Sequence, residues 1–163
     1  MLQIRAFTEA DYPQIQAIYQ QGIDFGFATC ETEYTTWQEW DASMLPVCRF
    51  IAEKDNHIVG WAALSPISTQ KIYAGVAEVG IYITQAARGM GIGHELMQHL
   101  VRGSELEGFW TLQAVLFPEH QPSVALMRRN GFHALGIRKH LAQVNGEWRD
   151  VVFMERRSKV VGV

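Results

Sequence analysis

Residues 88–93 read Arg-Gly-Met-Gly-Ile-Gly and join an apolar alternating stretch to an amphipathic run. Glycine at every second position lets the chain turn tightly, with no Cβ in the way. A turn of this kind delivers unpaired N–H groups at the start of a helix, which is a ready site for phosphate. Arg88 sets a fixed positive charge at its mouth. A strand, this loop and a helix must therefore follow one another, and the rest of the chain has to build a sheet around them.

The flanking patterns supply that sheet. Leu2, Ile4 and Ala6 alternate with polar residues and predict a first strand. Asp11 can cap a helix that takes Pro13 in its first turn, with Ile15, Ile18 and Tyr19 on one face. Residues 22–35 read as an irregular, aromatic-bearing loop. Over 36–45, Trp37, Trp40 and Met44 form one helical stripe, which predicts core packing. Strands at Phe50–Glu53 and Ile58–Leu64 meet at Asp55-Asn56, a hairpin signal, and 65–72 is a polar loop. The strand Val76–Ile83 enters the glycine loop, and Leu96, Met97, Leu100 and Val101 follow at helical spacing. Thr111–Phe117 is a strand, Pro122–Asn130 a short helix closed by Gly131, and Phe132–Ile137 and Asp150–Met154 are strands, the latter paired with Lys139–Val144 across a turn at Asn145-Gly146. This is an α+β or mixed-sheet α/β pattern, and it stands or falls with 73–83 and 111–117 being neighbouring strands. A chain of 163 residues without repeat or linker forms one domain, 1–163, with the tail after 156 fraying.

A net charge of −3 leaves no basic surplus for a general nucleic-acid binder. No stretch is apolar enough to span a bilayer, and no signal-peptide pattern is present. Cys30 and Cys48 form no metal or redox motif, so the reading is a cytoplasmic protein with free thiols and no metal. The loop itself fits neither common nucleotide motif. A dinucleotide fingerprint needs Gly-x-Gly-x-x-Gly near a first strand, and a Walker A loop needs Gly-Lys-Ser/Thr where Gly93-His94-Glu95 stands. A tight strand-to-helix turn without a ligand is the other reading.

Arg88, Gly91 and Gly93 resemble, in register, the acetyl-CoA pyrophosphate loop of the GNAT N-acetyltransferase superfamily. Ile4-Arg5-Ala6 with Asp11, and Asn130-Gly131-Phe132, agree with it. Phe27-Ala28-Thr29, Glu31-Thr32-Glu33, Trp40, Gly60-Trp61-Ala62, Ala77-Glu78, Ile81-Tyr82-Ile83 and the 148–154 segment are similar to the branch acting on phosphinothricin, methionine sulfoximine and methionine sulfone. The resemblance implies the GNAT fold, a mostly antiparallel twisted sheet of about seven strands flanked by four helices. It also implies acetyl-CoA as co-substrate, a small amine acceptor and a homodimer.

By the same resemblance, Ile81, Tyr82, Ile83, Arg88, Gly89, Met90, Gly91, Ile92, Gly93, His94 and His120 hold the co-substrate. The amides of 89–94 donate to the diphosphate, and the 81–83 edge pairs with pantetheine and polarises the thioester carbonyl. Glu78 is the candidate base, since a charge inside an apolar strand is costly unless used or paired; a solvent-facing edge Glu is the alternative. Two positions depart from the family pattern. Met127 stands where many members carry an acidic Tyr, leaving Tyr82, water or unassisted departure for a thiolate of pKa about 8.5. His120 stands where an Asn usually contacts CoA. The acceptor pocket is assigned to Phe27, Glu31, Trp61, Lys71, Ile72 and Tyr73, with Lys71 as the cation for a carboxylate. The expected reaction is direct acetyl transfer to the α-amine of an amino-acid-like acceptor in a ternary complex, because no nucleophile constellation suggests a covalent intermediate. A peptide amine, polyamine or aminoglycoside acceptor, and a non-catalytic acyl-CoA sensor, are the alternatives.

Overall fold

The computed structural model describes residues 1–24 and 36–163. Its elements run β1 (Leu2–Ala6), α1 (Tyr12–Asp24), α2 (Trp37–Ser43), β2 (Phe50–Lys54), β3 (His57–Pro66), β4 (Val76–Ile83), α3 (Ile92–Leu106), β5 (Thr111–Leu116), α4 (Gln121–Arg129), β6 (His133–Val144) and β7 (Glu147–Arg157). The strands form one seven-stranded sheet in the order β1-β2-β3-β4-β5-β7-β6. Every pairing is antiparallel except β4 with β5.

Alternation along the strands divides the core between the two faces of the sheet. Ile51, Trp61 and Ala63 face α1 and α2, where they pack with Ile15, Ile18, Tyr19 and Trp40. Ala52, Ala62 and Leu64 face the other way, against Leu96, Met97 and Leu100 of α3 and Val124 and Met127 of α4. The β2–β3 turn has Asp55 at φ 51° and Asn56 at φ 64°, the left-handed pair that a two-residue type I′ hairpin requires.

The first helix begins differently from expectation. Asp11 is not its cap but closes a short 3-10 turn, accepting from the Thr8 backbone N–H at 2.8 Å. It also takes two Arg5 guanidinium nitrogens at 3.0 Å each, a fork that holds its carboxyl below the usual carboxylate range. Alpha-helix α1 then extends to Asp24, into a segment expected to be irregular, and β3 extends to Pro66.

The tail is anchored where fraying was expected. Ser158 is buried, its N–H donates to the Trp110 carbonyl at 2.8 Å, and its hydroxyl donates to Glu105 at 3.1 Å. Arg157 donates onward to the carbonyls of Val161 and Gly162. Cys48 is a buried free thiol, its pKa pushed up to about 11 by desolvation and then by Glu107; it is inert as a nucleophile. Cys30 lies outside the described residues.

The feature that makes a site is a fork in the sheet. Strands β4 and β5 pair only over Val76–Thr111, Ala77–Leu112 and Glu78–Gln113. Past Glu78 the two strands part, while β4 stays paired with β3 up to Ile83 and β5 stays paired with β7 up to Leu116. Past Glu78, the edge of β4 that faced β5 is therefore no longer in the β4–β5 ladder.

Candidate functional site

Two cavities meet at this fork. One, of about 540 Å³, is lined by Ile81, Tyr82 and Ile83, by Arg88 and the loop glycines, and by His94 and His120. The other, of about 570 Å³, lies between β4 and β5 and takes in Glu78, Tyr82, Trp40, Trp61, Gln113 and Met127. Ile81, Tyr82 and Ser123 line both.

The first cavity is built from backbone. Gly89 and Gly91 have φ of 81° and 79°, conformations in which any L side chain is strained. Gly91 is the N-cap of α3 and offers no side-chain cap, so the first-turn amides have no intrahelical carbonyl to meet. A Cβ at Gly93 would come within 3.1 Å of Leu126, so glycine there lets α3 and α4 approach. Arg88 is held by its Nε–H donating to the Ile83 carbonyl at 3.3 Å. Burial lowers its pKa, but from a value so high that it stays charged. The buried Nδ1 of His94 meets no hydrogen-bond partner. Among the expected co-substrate residues only Met90 is set apart: its side chain is exposed beside Lys54 and does not line the cavity. A phosphate cradle of amides beside a permanent cation, leading to the edge of β4 that has parted from β5, fits the diphosphate and the amide-bearing arm of acetyl-CoA.

The second cavity holds Glu78 and Tyr82, the residues expected to move protons. Registers Ser65–Glu78, Ala63–Gly80 and Trp61–Tyr82 place Glu78, Gly80 and Tyr82 on one face, as alternation predicts. Glu78 is the last residue of β4 paired with β5, and Gln113 opposite it donates to its Oε1 at 2.8 Å. Tyr82 stacks on Trp61 with ring centroids 4.8 Å apart, and Trp40 meets Trp61 edge-on at 5.7 Å. The indole N–H groups of both tryptophans are buried and meet no acceptor among the described residues. An unmet buried donor costs about 1–3 kcal/mol.

His120 precedes α4 and its Nδ1 shares a short hydrogen bond with the Ser123 hydroxyl. Burial, and then the Arg88 charge, push its pKa below the ordinary histidine value, so the ring stays neutral around pH 7. Met127 is fully buried one helical turn beyond Ser123.

Several expectations fall elsewhere. Lys71, Ile72 and Tyr73 form an exposed 3-10 turn that lines neither cavity. Strand β3 continues through Ser65 and Pro66, and with Ile67 these supply that wall instead. Phe27 and Glu31 lie outside the described residues. Trp40, read as core, is both core and cavity wall. Gln113 and Ser123 were not anticipated. Among the described residues no cluster of three or more His, Cys, Asp or Glu could hold a metal, and no helix is long and apolar enough to cross a membrane.

Comparison with known proteins gives the same picture. The Acetyltransferase (GNAT) family profile matches residues 12–132. The phosphinothricin N-acetyltransferase of Streptomyces viridochromogenes is 29% identical over 95% of this chain and 87% of its own length. The L-methionine sulfoximine/L-methionine sulfone acetyltransferase of Pseudomonas paraeruginosa is 27% identical over 93% of this chain and 92% of its own. A GNAT superfamily phosphinothricin acetyltransferase from Sinorhizobium meliloti, solved in complex with acetyl-CoA, superposes with a TM-score of 0.88 at 28% identity, covering 99% of this chain and 90% of that one.

Proposed function

The chain belongs to the GNAT acetyltransferase family and is an acetyl-CoA-dependent N-acetyltransferase, and from that premise we propose that it acetylates the α-amine of a small amino-acid-like acceptor carrying an oxygenated phosphorus or sulfur head. The observation that carries this reading is the position of Glu78, at the fork between the co-substrate cavity and a cavity of about 570 Å³. That volume suits one small molecule.

Acetyl-CoA is a substrate here, and its thioester supplies the activated acetyl group. The protein does the rest. The loop amides and Arg88 hold the diphosphate, and the edge of β4 that has parted from β5 aligns the pantetheine arm. Edge amides donate to the thioester carbonyl oxygen where negative charge develops. Gln113 fixes one carboxylate oxygen of Glu78, and Glu78 takes the proton of the arriving ammonium, directly or through one water.

The acceptor class is supported by the phosphinothricin and methionine sulfoximine/methionine sulfone acetyltransferases that the chain resembles and by the charge of the cavity lining. Glu78 is the one carboxylate among the described lining residues, which is a poor match for a polyamine or aminoglycoside. No Lys or Arg lines that wall either, and residues 25–35 contain none, so an acceptor carboxylate would be met by neutral donors. Thiol release from acetyl-CoA should be seen with methionine sulfone, methionine sulfoximine or phosphinothricin, and be at background with a polyamine and an aminoglycoside. Turnover confined to the polycations would discard this acceptor assignment and keep the reaction.

A second copy is part of the proposal. Leu135, Ile137, Leu141 and Trp148 are exposed on the β6–β7 hairpin at the sheet edge, an apolar strip that supports pairing with the same face of another chain. Analytical ultracentrifugation should give twice the monomer mass, and Leu135→Asp with Ile137→Asp should return it to the monomer.

A further inference from the structure

The leaving thiolate needs a proton, and Met127 cannot provide one. Ser123 is the hydroxyl placed to do so. It lies on α4 one turn before Met127, on the same face, and it lines both cavities. Among the described residues Ile81 and Tyr82 share that position; Ile81 has no proton to give, and the Tyr82 ring is stacked on Trp61 with centroids 4.8 Å apart, on the β4 face turned toward α1 and α2 rather than toward α4. Ser123 is also coupled to a group that can resupply it, because its Oγ is hydrogen-bonded to Nδ1 of His120. His120 lines the co-substrate cavity.

We infer that Ser123 is the general acid of the reaction and that His120 positions and recharges it. The step balances as follows. The new N–C bond has formed and the ammonium proton has gone to Glu78. The C–S bond breaks with its electron pair moving to sulfur, and sulfur takes the proton of Ser123 Oγ. Ser123 takes the Nδ1 proton of His120, and His120 regains one at Nε2 from water. A neutral ring is the form that can pass a proton in at one nitrogen and out at the other. The depressed pKa of His120 keeps it in that form. The Arg88 charge acts on the ring in the same direction as burial.

The inference rests on the acyl-transfer reading but not on the choice of acceptor. Its first test accordingly uses CoA alone. The pKa of the bound CoA thiol, followed by thiolate absorbance, should rise by about one unit in Ser123→Ala, because a hydroxyl that donates to sulfur stabilises the thiolate. His120→Ala should shift it in the same direction by less. Calorimetric affinity of Ser123→Ala for acetyl-CoA should be unchanged, and kcat with whichever amine is turned over should fall at least about tenfold. Ser123→Thr, which keeps the hydroxyl, should restore both readouts. An unchanged thiol pKa overturns the inference. If kcat falls only in step with acetyl-CoA affinity, Ser123 merely holds the start of α4, and the inference is equally lost.

Discussion

Glu78→Gln is expected to lower kcat by about two to three orders of magnitude while leaving acetyl-CoA affinity unchanged, the usual scale for a lost general base. The substitution isolates chemistry from structure. Glutamine has the shape of glutamate, and its amide oxygen can still accept from Gln113, which now donates to Glu78 Oε1 at 2.8 Å. The register of β4 with β5 at 78 and 113 is therefore kept, and the ability to take a proton is lost. The deficit should be deepest at low pH, where free amine is scarce. It should narrow as pH rises toward the amine pKa, because an amine already deprotonated needs no base. A steady-state pH series beside a calorimetric titration reads both. A uniform loss at every pH would mean that Glu78 orients the acceptor rather than deprotonating it.

Gly91→Val is expected to abolish measurable acetyl-CoA binding. The reason is conformational rather than steric crowding within the protein. A Cβ at Gly91 meets nothing within 4 Å, yet φ is 79°, where an L residue costs about 1–2 kcal/mol and a β-branched one more. Relief of that strain turns the loop and re-aims the first-turn amides of α3. Two lost hydrogen bonds to a charged diphosphate amount to about 3–6 kcal/mol, or two to four decades of affinity. Gly91→Ala carries the same φ without the branch and should fall between valine and the native chain. Unfolding temperature should fall by a few degrees in both, because strain of about 1–2 kcal/mol then weighs on the folded state alone.

What the sequence disclosed was what lies close together along the chain. The glycine loop, the hairpin turn at Asp55-Asn56 and the shared face of Glu78 and Tyr82 all follow from spacings of a few residues. What it concealed depends on register between distant segments. Gln113 meets Glu78 through a parallel pairing between strands joined by a whole helix, and nothing local marks one glutamine as a partner. Trp40 sits in a stripe at helical spacing, and periodicity cannot distinguish a core wall from a cavity wall when one ring serves as both. Charge alone marks Lys71 in the sequence, but β3 runs two residues beyond its expected end and carries the wall past it. The coupling of His120 to Ser123 was within reach, because both were visible three residues apart at the start of a short helix.

The fork also bears on solubility. A central strand with an open edge is a template onto which another polypeptide can add, and exposed templates of this kind seed aggregation. Here the open stretch of β4 is recessed, with Ser123 and Met127 of α4 on one side and Trp40 and Tyr19 on the other. A pleated polypeptide carrying side chains on both faces would collide with those walls, whereas a slender unbranched arm can lie along the edge. The geometry that selects the co-substrate thus also guards the chain against its own kind.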